Sequence, residues 1–177
     1  MPRLFTALEL PERAAFQLAL MRGGVVGARW LEPEDYHLTL RFVGDIDARS
    51  ASDIAETLGD IRRSKLIVRF DGLSWFGGDK PRAIVAKAKP EPALMELQAE
   101  HERRLRRIGL EPEARKYTPH VTLARLRGVA QAAVADYLAT RGALQVEPFA
   151  VERFVLLSAR EGTGGGPYVV EAAYPLG

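Results

Sequence analysis

Two short stretches of this chain answer each other: Tyr36-His37-Leu38-Thr39-Leu40-Arg41-Phe42 and Thr118-Pro119-His120-Val121-Thr122-Leu123-Ala124-Arg125. Each holds a His, an apolar residue, a Thr and a Leu in that order. Together they use two of the chain's three histidines. In an extended strand, side chains two apart share a face. Each His therefore stands beside its Thr, while Leu38 and Leu40, or Val121 and Leu123, turn the other way into a core. A fold that accommodates both stretches needs strands with one buried and one accessible face. It also presents an imidazole beside a hydroxyl, on rigid backbone, twice.

At 177 residues, with 47% hydrophobic and 27% charged residues, the chain can bury its own core without covalent staples. It has no Cys, which excludes disulfides, a thiol nucleophile and a thiolate metal site. Without Asn it has no N-glycosylation sequon. The segment Met1-Pro2-Arg3-Leu4-Phe5-Thr6-Ala7-Leu8-Glu9 becomes charged too soon for a secretory signal, and no uncharged run reaches membrane-spanning length. A cytoplasmic location, no membrane association, no obligate protein partner and a monomeric state are expected. The net charge of +2, with a pI of about 9.0, is slight evidence for an anionic partner and does not suggest a long nucleic-acid groove.

Strands are expected over 3–8, 28–31, 36–42, 66–70, 83–88, through the second His/Thr stretch, within 146–157 around Pro148, and over 168–174. Helical spacing marks 12–21, 50–58, 92–108 and 131–139. Pro92 opens the longest helix and Gly109 closes it. Residues 75–79 read as an aromatic-glycine loop and 162–166 as a glycine loop. The alternation of strand runs with single helices predicts an α+β fold with helices packed outside antiparallel strands. Because the two His/Thr strands open comparable halves, a degenerate duplication is expected.

Histidine is the side chain whose ordinary pKa lies nearest neutrality. Two of them can share one proton, one ring acting as base and the other as acid. That suits an in-line displacement at phosphorus. The base takes a proton from the attacking water or hydroxyl, and the acid protonates the leaving oxygen opposite. Thr39 and Thr122 can donate to non-bridging phosphate oxygens, where charge builds in the transition state. Neither tetrapeptide places a carboxylate on its His face, so a metal site is disfavoured and no cofactor is expected.

The paired tetrapeptides, with Arg3-Leu4-Phe5, Trp30-x-x-Pro33-Glu34-x-x-His37 and Pro119-His120-Val121-Thr122-Leu123-Ala124-Arg125, resemble the RNA 2′,3′-cyclic phosphodiesterases, also called 2′-5′ RNA ligases, of the two-histidine phosphoesterase superfamily. The resemblance runs over nearly the whole chain. It implies one bilobal domain over 1–177: two antiparallel sheets related by a pseudo-two-fold axis around a central cleft. It also implies opening of a 2′,3′-cyclic phosphate at an RNA 3′ end to a 2′-phosphate, with reversible 2′-5′ ligation allowed. By the family's assignment His37 is the proton donor, His120 the proton acceptor, and Arg125 a phosphate contact. Sequence alone leaves the two histidine roles interchangeable. An alternative within the superfamily is a small cyclic or 2′-5′ linked nucleotide as substrate; outside it, a non-catalytic RNA-end binder.

Strand parity raises one difficulty. In an unbroken strand Arg125 faces away from His120 and Thr122, so a bulge or a strand end is needed to bring it round. Arg41 shares parity with His37 and Thr39, yet it reads as structural. His101, on a helix among Glu100, Glu102, Arg103 and Arg104, is expected to be structural and partly exposed. The run Arg103, Arg104, Arg106, Arg107 reads as a solvated helix face. Trp75, Phe76 and Tyr168 can serve either as core or as a stacking surface for a base.

Overall fold

The computed structural model describes residues 3–141, 143–159 and 168–177. The expected glycine loop over 162–166 lies outside them. The chain runs β1 (Arg3–Glu9), α1 (Glu12–Ala19), β2 (Ala28–Trp30), a 3-10 turn (Pro33–Asp35), β3 (His37–Asp45), α2 (Ala48–Leu58), β4 (Leu66–Val68), β5 (Phe70–Phe76), β6 (Ala83–Ala88), α3 (Pro92–Arg107), β7 (His120–Leu126), α4 (Gln131–Arg141), β8 (Phe149–Val151), β9 (Arg153–Ala159) and β10 (Tyr168–Pro175). This is the expected α+β class. The expected loop at 75–79 is corrected in part: Trp75 and Phe76 end β5, and the turn begins at Gly77. A Cβ at Gly77 would stand 2.3 Å from the Lys80 carbonyl oxygen, and its φ is +108°, so the turn that fixes Phe76 needs glycine there.

The strands form an eight-stranded antiparallel sheet in the order β10-β9-β1-β3-β7-β6-β5, with β2 on the free part of β7's edge, and β4 pairs separately with β8. The two halves meet where β3 joins β7. That junction is a single bridge, Leu38 opposite Val121. Both residues are fully buried, and burying each side chain is worth about 1.5–3 kcal/mol.

Helices cover the Leu38/Val121 face. In α3, Leu94, Leu97, His101 and Leu105 recur at helical spacing and are buried. The three leucines share one core with Leu38, Leu40, Val121 and Leu123. Pro92 sits in the first turn of α3, and Gly109 follows the helix at φ +104°. The Asp47 carboxylate caps α2, accepting from the Ser50 amide at 2.7 Å. Under α4 a second apolar cluster gathers Ile84, Ala124, Leu126 and Val134. His101 corrects the expectation of partial exposure: it is fully buried, its Nδ1 donates to the Leu97 carbonyl at 2.8 Å, and its ring packs edge-on against Phe154.

Candidate active site

The one bridge between the halves determines how the tetrapeptides stand to each other. Directly opposed residues in an antiparallel pair share a face, and their sequence neighbours share the other. Leu38 and Val121 face the helices. His37, Thr39, His120 and Thr122 therefore all project from the opposite face, and all four are partly exposed there. Leu38 and Val121 hold the same place in their tetrapeptides, so the local two-fold axis of the antiparallel pair relates one tetrapeptide to the other.

Both strands then carry a bulge at the same position. Thr6 and Ala7 oppose Arg41 and Thr39, which leaves Leu40 as the extra residue of β3. Ile84 and Val85 oppose Ala124 and Thr122, which leaves Leu123 as the extra residue of β7. Each bulge reverses the parity of the residues beyond it. Leu123 and Ala124 are both buried, and Arg125 turns out onto the histidine face. The parity difficulty is thereby removed. The twin bulge acts oppositely on Arg41. It turns that residue to the helix face, where it is buried against Glu102 and donates to the Phe42 and Glu111 carbonyls. Phe42, the counterpart of Arg125, emerges on the histidine face at 57% exposure, its ring 5.7 Å from Phe5.

Each imidazole is held by the carbonyl two residues before it. His37 Nδ1 donates to the Asp35 carbonyl at 2.8 Å, and His120 Nδ1 donates to the Thr118 carbonyl at 2.7 Å. A carbonyl only accepts, so the proton sits on Nδ1 and Nε2 of each ring is left for substrate. The 3-10 turn opened by Pro33 aims the Asp35 carbonyl. The loop before His120 is tied to the other half by the Tyr117 hydroxyl, which donates to the Thr39 carbonyl at 2.8 Å.

The surroundings of the two rings differ. His37 lies 4.9 Å from Phe5 and 4.9 Å, edge-on, from Tyr168. Burial pushes its pKa down to about 4. The Asp35 carbonyl works against that shift, and the nearby Arg125 and His120 add to it. His120 packs edge-on against Phe76 at 4.6 Å. Burial lowers its pKa too, opposed by the Thr118 carbonyl. Burial raises the Tyr168 pKa, and the Arg125 guanidinium works against that shift. Two further residues carry no signal in the sequence. Glu9 stands opposite His37 on β1, with its carboxylate engaged by Arg153 at 2.7 and 3.1 Å. Arg29 on β2 stands directly opposite Arg125. Among the described residues no group of three or more His, Cys, Asp or Glu side chains is placed to hold a metal ion. Nor is any described helix long and apolar enough to cross a membrane.

The chain is similar to known proteins. The sequence profile of the LigT-like phosphoesterases matches residues 8–85 and again 86–168, with one tetrapeptide in each match. An RNA 2′,3′-cyclic phosphodiesterase of Aeropyrum pernix is 35% identical over 118 residues, spanning 63% of this chain and 67% of that protein. One from Bacillus subtilis is 29% identical over 130 residues, 70% of this chain and 71% of that protein. Among solved structures, E. coli LigT complexed with 3′-AMP superposes with a TM-score of 0.78 at 22% identity, covering 99% of each chain, which speaks for the fold alone. Since the profile takes in both halves, each with its tetrapeptide, the chain belongs to the LigT-like phosphoesterase family.

Proposed function

We propose that this protein hydrolyses the 2′,3′-cyclic phosphate at the 3′ end of an RNA to a 2′-phosphomonoester, by acid/base catalysis between His37 and His120. The observation that carries this is the Leu38–Val121 bridge, which supports both imidazoles and both Thr hydroxyls working on one phosphate from one face. The curated relatives named RNA 2′,3′-cyclic phosphodiesterases support the substrate class.

In this mechanism Nε2 of His120 takes a proton from water as the water oxygen bonds to phosphorus. The bond from phosphorus to the 3′ oxygen breaks, and Nε2 of His37 delivers its proton to that oxygen. Thr39, Thr122 and Arg125 hold the non-bridging oxygens as they gain charge. The product carries a 2′-phosphate and a 3′-hydroxyl. His120 ends protonated and His37 neutral, and exchange with solvent resets them. An RNA 5′-hydroxyl in the place of water gives a 2′-5′ linkage by the same steps.

The free protein disfavours imidazolium at His37, since burial and Arg125 both oppose it. The donor role therefore needs the substrate's negative phosphate to restore the proton. Incubation with an RNA ending in a 2′,3′-cyclic phosphate tests the function. A 2′-phosphate product that forms equally with and without EDTA is expected. A 3′-phosphate product, or loss of turnover in EDTA, would overturn the mechanism.

A further inference from the structure

Arg29 and Arg125 face each other as direct partners on β2 and β7. Like charges directly opposite on paired strands oppose folding. Both residues are exposed. Like several other surface arginines, Arg29 has no carboxylate partner among the described residues, and it alone of these stands opposite Arg125. The two guanidinium groups also lie on the histidine face. The charges of Arg125 and Arg29 both work against the burial that raises the Tyr168 pKa. Arg29, a cation beside a proposed phosphate site, calls for an anion.

Charge balance indicates how many. A 2′,3′-cyclic phosphodiester carries a single negative charge. In the proposed reaction it already meets Arg125 and the His37 proton. In the ground state Arg29 is a third cation beside that single charge. A nucleoside cyclic phosphate offers nothing more, whereas an RNA end offers its next phosphodiester, one nucleotide upstream. β2 and β3 lie successively along the same edge of β7, so Arg29 stands on the His37 side of the site, beyond Arg125.

We propose that Arg29 binds the phosphodiester that precedes the terminal nucleotide, so that the site prefers oligonucleotide ends to mononucleotides. This rests on the function proposed above and extends it to a specificity-determining residue.

The test compares kcat/KM for adenosine 2′,3′-cyclic phosphate with that for a diadenylate ending in the same cyclic phosphate, in the wild-type protein, Arg29→Gln and Arg29→Lys. Arg29→Gln is expected to lower the dinucleotide-to-mononucleotide ratio about tenfold, the scale of one charged hydrogen bond. The dependence of log kcat/KM on log salt for the dinucleotide becomes shallower by about 0.7, one single-strand phosphate contact. Arg29→Lys keeps most of that salt dependence. The melting temperature of Arg29→Gln equals or exceeds that of the wild type, because an opposed charge is removed. An unchanged ratio in Arg29→Gln, with the wild type active on both substrates, overturns the inference and leaves the function standing. So does an equal loss on both substrates with a lowered melting temperature, which marks a structural role. A wild-type protein that turns over neither substrate overturns the functional proposal, and the Arg29 assignment with it.

Discussion

Strands β3 and β7 are built to one plan and finished differently. Each opens on His, holds that ring by the carbonyl two residues back, buries its second residue at the bridge, and bulges at its fourth. After the bulge they diverge. β3 continues with Arg41, locked against Glu102 among the helices, and Phe42, an exposed ring. β7 continues with Ala124, buried, and Arg125, a cation on the site face. The shared part makes an acid/base pair possible. The divergent part gives the site one charged and one apolar shoulder and makes the two imidazoles unequal. The two imidazoles differ in what surrounds them: burial lowers both pKa values, and the positive charge of Arg125 lowers that of His37 further.

Removal of either ring tests the shared plan most severely. His37→Ala and His120→Ala are each expected to lose about 10²–10⁴-fold in kcat on a cyclic-phosphate RNA. A substrate with sulfur in place of the 3′ oxygen separates the roles, because a thiolate leaves without a proton. It should recover most of the rate of His37→Ala and none of His120→Ala. Recovery in the opposite variant would exchange the two assignments.

Arg125→Ala probes the inequality. The expected loss in kcat/KM is about 10²-fold, on the scale of one transition-state donor, while Phe42→Ala, its counterpart, loses less. The same substitution removes a positive neighbour of His37. The His37 pKa in the free protein should therefore move up from about 4, followed by proton NMR of its ring. In the wild type, added inorganic phosphate should raise it too. A His37 midpoint that ignores both changes would mean that Arg125 does not act on that ring.

The third histidine is the control, and its effect is the smallest. Burial also holds His101 at about 4, with Nε2 left unpartnered inside the core. A depressed imidazole thus does not by itself mark a site; an Nε2 open to substrate does. The sign of its effect on stability is fixed. Between its ordinary value of 6.5 and about 4, the unfolded chain carries a proton on this ring and the folded chain does not, so stability falls as pH falls through that window. His101→Leu should shrink the difference in urea-unfolding free energy between about pH 7 and about pH 5. An undiminished difference would place the acid sensitivity in other groups.

Much of this was legible from pattern. The period-two placement of His and Thr against Leu and Val predicted the two-faced strands, and helical spacing marked α1 through α4. The α+β class followed from their order. Where local pattern failed, a distant partner had decided. Trp75 and Phe76 looked like loop beside Gly77 and Gly78, but pairing with Ile84 and Ala83 extends β5 through them. His101 looked exposed among charged neighbours, but its position on the stripe of Leu97 and Leu105 carried it into the core. Arg29 gave no signal at all, since its meaning lies in facing Arg125 across a strand pair.

Read alone, the chain specifies the chemistry available: two imidazoles, two hydroxyls and a cation, each on a strand with a defined buried side. Alternation is a local property, set by backbone geometry residue by residue. That these groups meet is a matter of the folded arrangement. A single bridge between Leu38 and Val121 sets both tetrapeptides on one face, and two bulges, each defined only by the strand across from it, bring Arg125 into the site and take Arg41 out. Register and bulges belong to pairs of strands, and no strand carries them alone.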